Sequence, residues 1–333
     1  MIETPVLNKI DINKKIDVPS RHSDLIEFIR TCYSFKPEGL IISENKWKYL
    51  IRSVVRGRNV LICGPAGYGK TIIAKCVQRI LNRPSFMINL GSTQDPRTVL
   101  VGAKHFKKDI GTIFNKSYFI EAITTPNAII LLDELSRSHP EVWNMLMSVL
   151  DQNQKYIRLD EDENHTTINV ADGVSFISTA NIGHEYTSTR TIDKALLERF
   201  LMMEVDILNE AGVLSLLKYS FPLVEEENLI KISNIYSKVF EEYSKEGSRI
   251  STLVSPRMAM EMAELMYDGF SLSNAADAAI YPYFSADGGN VSERVYVKEV
   301  TQAFIGIDEQ TNGTSDVPNS LFGSDFMNGA IGD

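Results

Sequence analysis

Apolar positions along this chain change texture once. Up to about residue 208, short apolar runs alternate with stretches of helical period; beyond it the helical period continues alone. Val60–Cys63, Ala128–Leu132, Val174–Thr179 and Leu201–Val205 read as buried strands, with Ser85–Leu90 as a further one. Ahead of the first strand, Trp47, Leu50, Ile51, Val54 and Val55 keep helical spacing behind Ser43, a candidate N-cap. Ile72, Ile73, Cys76, Ile80 and Leu81 do the same, as do Val142, Leu146 and Leu150 within Pro140–Leu150. Strands alternating with helices predict a parallel sheet covered on both faces.

Smaller signals fill the gaps. Asp24–Tyr33 and Tyr118–Ile123 suit helices, and Lys36–Gly39 a turn. Val99–Phe114 predicts a hairpin around Lys107–Gly111, and Tyr156–Leu159 with Thr167–Val170 predict a second around the acidic run from Asp160 to Asn164. That run lacks the spacing of a calcium loop and reads as a solvated turn. After Asn209 come a stripe from Leu229 to Tyr243 and three helices, Ser255–Tyr267, Ser271–Phe284 and Ser292–Phe304. Residues 310–333 are rich in Gly, Ser, Asn and Asp and lack periodicity, so they read as a disordered tail, with Leu321-Phe322 and Phe326-Met327 as apolar pairs. The fold expected is α/β: a three-layer αβα core with a parallel sheet, then a small all-helical lid. The expected limits are an N-terminal extension at 1–44, to which no function is assigned, a core at 45–208, a lid at 209–309 and a tail at 310–333.

Composition adds little to this. With 333 residues, 44% hydrophobic, and a net charge of −9, the chain is an ordinary globular protein whose acidic balance counts against a general nucleic-acid binder. Cys32, Cys63 and Cys76 have no C-x-x-C spacing, and the five histidines no H-x-x-x-H, which argues for buried thiols and against zinc. No apolar run reaches about 18 residues and no signal-peptide core is present, so a cytoplasmic protein without a membrane partner is expected.

The chemistry concentrates where the first strand stops. Gly64-Pro65-Ala66-Gly67-Tyr68-Gly69-Lys70-Thr71 matches the P-loop pattern G-x-x-x-x-G-K-[ST] between a strand and a helix. Accident would give about one such match per hundred chains of this length, before the flanking elements are counted. Glycines allow backbone N–H groups to turn towards phosphates, Lys70 suits the β- and γ-phosphates, and Thr71 suits Mg²⁺. Asp133-Glu134 ends another buried strand, where parallel sheets put ligand chemistry. With the glycine loop upstream, Asp133 is expected to hold Mg²⁺ through water and Glu134 to polarise an attacking water. Asn181 ends the next strand and reads either as a water-orienting group or as a plain polar terminus. Arg199 reads either as a side chain projecting towards a neighbouring subunit or as a surface ion pair. Ser255-Pro256-Arg257 opens a helix, and an arginine in a first turn is rationalised by a nearby phosphate.

Together these residues resemble the AAA+ ATPases, over roughly residues 45 to 305. The resemblance implies that Gly64–Thr71 with Ile72 binds ATP as Walker A, and that Asp133 and Glu134 form Walker B. It further implies that Asn181 is sensor 1, Arg199 an arginine finger and Arg257 sensor 2. LLDELSRSHPEVWNMLMSVLD, the hairpin before the Asn181 strand, and EYTSTRTIDKALLERF resemble the MoxR-type branch with its CbbQ, NorQ and GvpN relatives. The short Val99–Phe114 insert matches that branch, whereas Asn181-Ile182 departs from its usual Asn-Pro. The same likeness implies a homo-oligomeric ring, a hexamer, with ATP between subunits, acting on a protein substrate or a separate von Willebrand A-domain partner. The other reading is a nucleic-acid motor or McrB-like NTPase; Lys104, His105, Phe106, Lys107 and Lys108 on the first hairpin suit contact with either a polypeptide or phosphates.

Overall fold

The computed structural model describes residues 10, 15–92, 95–107, 111–160, 165–181 and 192–305. By its internal contacts the chain divides into two units, Met1–Pro222 with Ser255–Arg257, and Leu223–Val254 with Met258–Asp333.

In the first unit, α1 (His22–Thr31) is shorter than expected at its end, because Cys32–Phe35 tightens into a 3-10 turn. In α2 (Glu44–Val55), Ser43 takes the N-cap position in extended conformation but makes no side-chain cap bond. The helix is fixed instead by burial of Trp47, Leu50, Ile51 and Val54, and by the Trp47 indole N–H, which donates to the Cys32 carbonyl at 2.9 Å. The following elements are β1 (Val60–Cys63), α3 (Lys70–Ile80), β2 (Ser85–Asn89) and α4 (Pro96–Leu100). Asp95 caps α4 through bonds from the Arg97 and Thr98 N–H groups, with Pro96 at its first position. That short helix takes Val99, so the first hairpin starts later than its apolar pattern suggests, as β3 (Gly102–Lys107) and β4 (Gly111–Lys116). Next come α5 (Tyr118–Thr124), β5 (Ile129–Asp133) and α6 (Pro140–Leu150). The second hairpin, β6 (Tyr156–Arg158) with β7 (Thr167–Asn169), leads to β8 (Ser175–Ala180). The unit then runs through α7 (Lys194–Leu197), β9 (Leu201–Glu204) and α8 (Glu210–Ser220).

Five strands form one parallel sheet in the order β2-β5-β8-β1-β9. Alternation decides which side chains serve which face. Leu61, Ile130, Leu132 and Phe176 join Phe119 and Ile120 of α5 and Val142 and Leu146 of α6 in one core, while α2 and α3 pack on the sheet from the other side. The strands therefore end in a common C-terminal edge between two helical layers. β1 is the first strand in the chain but the fourth in the sheet, and this change of winding opens a crevice at that edge.

The second unit is helical: α9 (Glu226–Tyr243), all of α10 (Pro256–Tyr267) after Arg257, α11 (Leu272–Ala279) and α12 (Glu293–Gln302). α9 buries Leu229, Ile232, Ile235, Tyr236 and Val239, the stripe read from the sequence. The continuous helix expected over Ser271–Phe284 stops at Ala279. Pro282 has no N–H and its ring clashes with a preceding helical turn, so Tyr281–Tyr283 forms a separate 3-10 turn. Ser271 and Ser292 cap α11 and α12 by accepting from the Asn274 and Val295 N–H groups. The tail from residue 310, the hairpin tips Lys108–Ile110 and Glu161–Asn164, and the segment 182–191 lie outside the described residues. No helix among the described residues is long and apolar enough to cross a membrane.

Candidate functional site

The glycine loop leaves β1 at Cys63 and returns the chain into α3 at Lys70. Gly67 sits at φ +82°, and a Cβ there would lie 2.7 Å from Ser255 Oγ and 3.4 Å from Arg257 Cβ. A side chain is thus excluded by conformation and by space. The same contact brings Ser255 and Arg257 against the loop. Lys70 is only 8% exposed, and its ammonium donates to the Gly64 carbonyl at 2.9 Å and the Pro65 carbonyl at 2.6 Å. Burial, helped by the positive charge of Arg257, lowers its pKa from 10.5 to about 8. Ile72, in the first turn of α3, is 51% exposed.

Asp133 is the last residue of β5 and is buried. Its Oδ1 accepts from the Thr71 hydroxyl at 2.9 Å and from the Thr179 hydroxyl at 2.5 Å. Thr179 in turn accepts from the Glu134 N–H at 3.0 Å. The strand order explains this chain of bonds: β8 pairs directly with β5, which sets Thr179 beside Asp133 and Glu134, while Thr71 reaches Asp133 from the start of α3. Glu134 follows in left-handed conformation, φ 60° and ψ 41°, uncommon for a residue with a side chain. Its carboxylate pairs with Arg137, at 3.3 Å from Oε2 and 3.5 Å from Oε1. Asn181 stands just past β8, and its N–H donates to the buried Ser136 Oγ at 3.1 Å.

Could these residues hold a magnesium nucleotide? A buried ammonium whose pKa is depressed lacks an anion, and the loop's glycine backbone and helix N-terminus supply donors where one would sit. Thr71 and Asp133 offer hard oxygens at one point, the donor set that Mg²⁺ takes. The residues fit both groups.

Of the two readings of Arg199, its placement matches the ion pair rather than a side chain projecting from the surface. Its Nε donates to the Met147 carbonyl at 2.8 Å, one terminal nitrogen donates to the Ala195 carbonyl, and the other lies 3.3 Å from Asp151 Oδ2. The side chain is 22% exposed. Arg199 precedes β9, whereas the glycine loop follows β1, and these strands are parallel. Arg199 is therefore at the opposite end of the sheet from the loop of its own chain.

The sequence reading missed three residues. Thr179 was read only as strand, and its role depends on strand order. Arg137 lies within the quoted Asp-Glu segment, three positions from Glu134, a spacing that could have flagged an ion pair. Gly91 follows β2, and a Cβ on it would come within 2.1 Å of Glu134 Oε2, so the carboxylate occupies the space that a side chain would fill.

Residues 59–200 match the AAA domain (dynein-related subfamily). The chain is 28% identical over 226 residues to the putative chaperone BssE of Thauera aromatica, covering 67% of this chain and 74% of that one. It is 27% identical over 215 residues to an uncharacterized protein of Staphylococcus saprophyticus, covering 62% and 78%. Among solved structures, a point mutant of RuvB from Thermotoga maritima superposes with a TM-score of 0.46 at 14% identity, over 79% of this chain and 71% of that one.

Proposed function

We propose, from the premise that the chain is an AAA+ ATPase of the MoxR type, that it hydrolyses ATP with Mg²⁺ in a homo-oligomeric ring, a hexamer, and remodels or activates a partner protein. The observation that carries the nucleotide chemistry is the bonded series Thr71–Asp133–Thr179–Glu134, which ties the glycine loop to the carboxylate pair across two strand intervals. In this reading Gly64 to Ile72 wrap the triphosphate, and Lys70 leaves its two carbonyls for the phosphate oxygens. Thr71 and, through water, Asp133 would hold Mg²⁺, which would supply neutralising charge at the phosphates. Glu134 orients the attacking water and accepts its proton on a carboxylate oxygen, with Asn181 fixing the water from the neighbouring strand. Arg257, against Gly67, faces the same phosphates. The position of Arg199 at the far end of its own sheet supports a role at the loop of a neighbouring copy. The likeness to a putative chaperone supports a protein partner over nucleic acid; a separate von Willebrand A-domain protein is the partner proposed.

Two inactive variants test the ring. Glu134→Gln keeps shape and loses the base; Arg199→Ala loses the cation. Each alone is expected to bind ATP and turn it over slowly. Mixed in one assembly, they restore interfaces that have both an intact Glu134 and an intact Arg199, and hydrolysis returns. A mixture that contains both chains in one ring and stays inactive at every ratio sinks the reading of Arg199. ATPase rates with and without DNA, beside an affinity pull-down, separate a protein partner from nucleic acid.

A further inference from the structure

At the other end of the sheet, an open groove of about 440 Å³ is lined by Ile26, Ile29, Arg30, Arg52, Arg56 and Arg58. It belongs wholly to the first unit. Helical spacing builds it: Ile26, Ile29 and Arg30 share one stripe of α1, Arg56 caps the C-terminus of α2 one turn beyond Arg52, and Arg58 precedes β1. The isoleucines are only half-buried, and α1 has no fully buried residue. The four guanidiniums lack strong partners. Arg30 is 3.9 Å from Glu27, Arg56 is 3.5 Å from the His22 ring, and Arg58 donates to the neutral Gln152 at 2.9 Å. The Arg52 guanidinium has no hydrogen bond or ion pair among the described residues. Asp24 and Glu27 are the acidic groups of α1 itself, and both are exposed.

We propose that this groove docks a short acidic segment of a partner protein, with carboxylates on the arginines and an apolar side chain against Ile26 and Ile29. The guanidinium fork matches a carboxylate plane, which explains why four arginines stand here rather than lysines. The half-covered isoleucine pair supplies the apolar anchor that a purely charged ligand would leave exposed. Charge decides between classes of partner. The chain carries a net charge of −9. A nucleic acid running beyond the groove meets that repulsion along its length, whereas a short peptide meets only the arginines. The proposal does not depend on ATP hydrolysis, since none of these residues belongs to the glycine loop or the carboxylate pair.

The test uses the full chain and a short fluorescein-labelled peptide of glutamates and leucines, followed by fluorescence anisotropy. Binding is expected to weaken at least about tenfold in the Arg52→Glu/Arg56→Glu variant, and to weaken as salt rises from about 0.05 to about 0.2 M. The milder Arg52→Gln/Arg56→Gln variant, checked by thermal melting, gives a smaller loss in the same direction. Ile29→Asn weakens binding severalfold, and a peptide with glutamines for glutamates does not bind. Affinity that charge reversal leaves unchanged overturns the proposal, as does absence of peptide binding to the parent chain. A single-stranded oligonucleotide that binds more tightly than the peptide, and loses affinity in the same variants, overturns it in favour of a phosphate ligand.

Discussion

Raising the pH should weaken nucleotide binding through Lys70. Its ammonium is buried against two loop carbonyls, and its pKa falls from 10.5 to about 8. At that value it is about nine-tenths charged at pH 7 and about one-tenth charged at pH 9. A bound triphosphate favours the charged form and lifts the pKa back up, so binding above pH 8 must take up a proton. Affinity for Mg·ATP should therefore fall about tenfold from pH 7 to pH 9, a loss of about 1.4 kcal/mol. Calorimetry on Glu134→Gln, which binds without rapid turnover, reads this directly. At pH 8 about half a proton should be absorbed per nucleotide, seen as a dependence of the heat on the buffer's ionisation enthalpy. Stability of the nucleotide-free protein carries the opposite sign. Between pH 8 and 10.5 the unfolded chain holds a proton at Lys70 that the folded chain has lost, so stability rises with pH across that window. Below pH 8 the buried charge costs about 3 kcal/mol in full, an order-of-magnitude figure from the shift. Denaturant titrations of the parent chain against Lys70→Met isolate that slope from other groups. An affinity that is flat from pH 7 to 9, with no buffer dependence of the heat, would refute the argument.

Two further substitutions probe how Glu134 is held. Gly91→Ala places a methyl group where Glu134 Oε2 now lies, so turnover should drop by about 10²-fold while the Kd for ATP changes little; normal turnover would mean that the carboxylate works from another position. Arg137→Ala removes a half-exposed ion pair that restrains Glu134, and such pairs are worth about 0.2–1 kcal/mol. Basal turnover should rise by up to about fivefold at unchanged nucleotide affinity, and a fall would assign Arg137 to catalysis rather than restraint.

What the sequence made legible at this site is what depends on neighbours in the chain. The glycine loop is local, and so is an apolar run ending in Asp133-Glu134, because a buried strand and its terminus can be read within a few residues. Errors over local structure came from competing signals that were also present: Asp95-Pro96 outweighed the β-like pattern at Val99, and Pro282 outweighed the helical period after Ser271. Thr179 and Gly91 are different. Neither has a local signal, since a threonine in a buried strand and a glycine after one are both ordinary. Each acquires its role only because β8 and β2 both pair with β5, facts of sheet order that no window of sequence contains. The same holds for Arg199, whose guanidinium is held by Met147, Ala195 and Asp151 rather than by anything in its own segment but Ala195. This tether also bears on the proposed ring. A cation that must reach a neighbour's phosphate from such a position gives up two carbonyl bonds and a partly buried ion pair. The phosphate must offset that loss, so the side chain would be drawn out only at an interface where nucleotide is present. Assembly and charge at the phosphate would then be coupled through Arg199, and removing Asp151 as its partner should favour the extended side chain without touching the site that it serves.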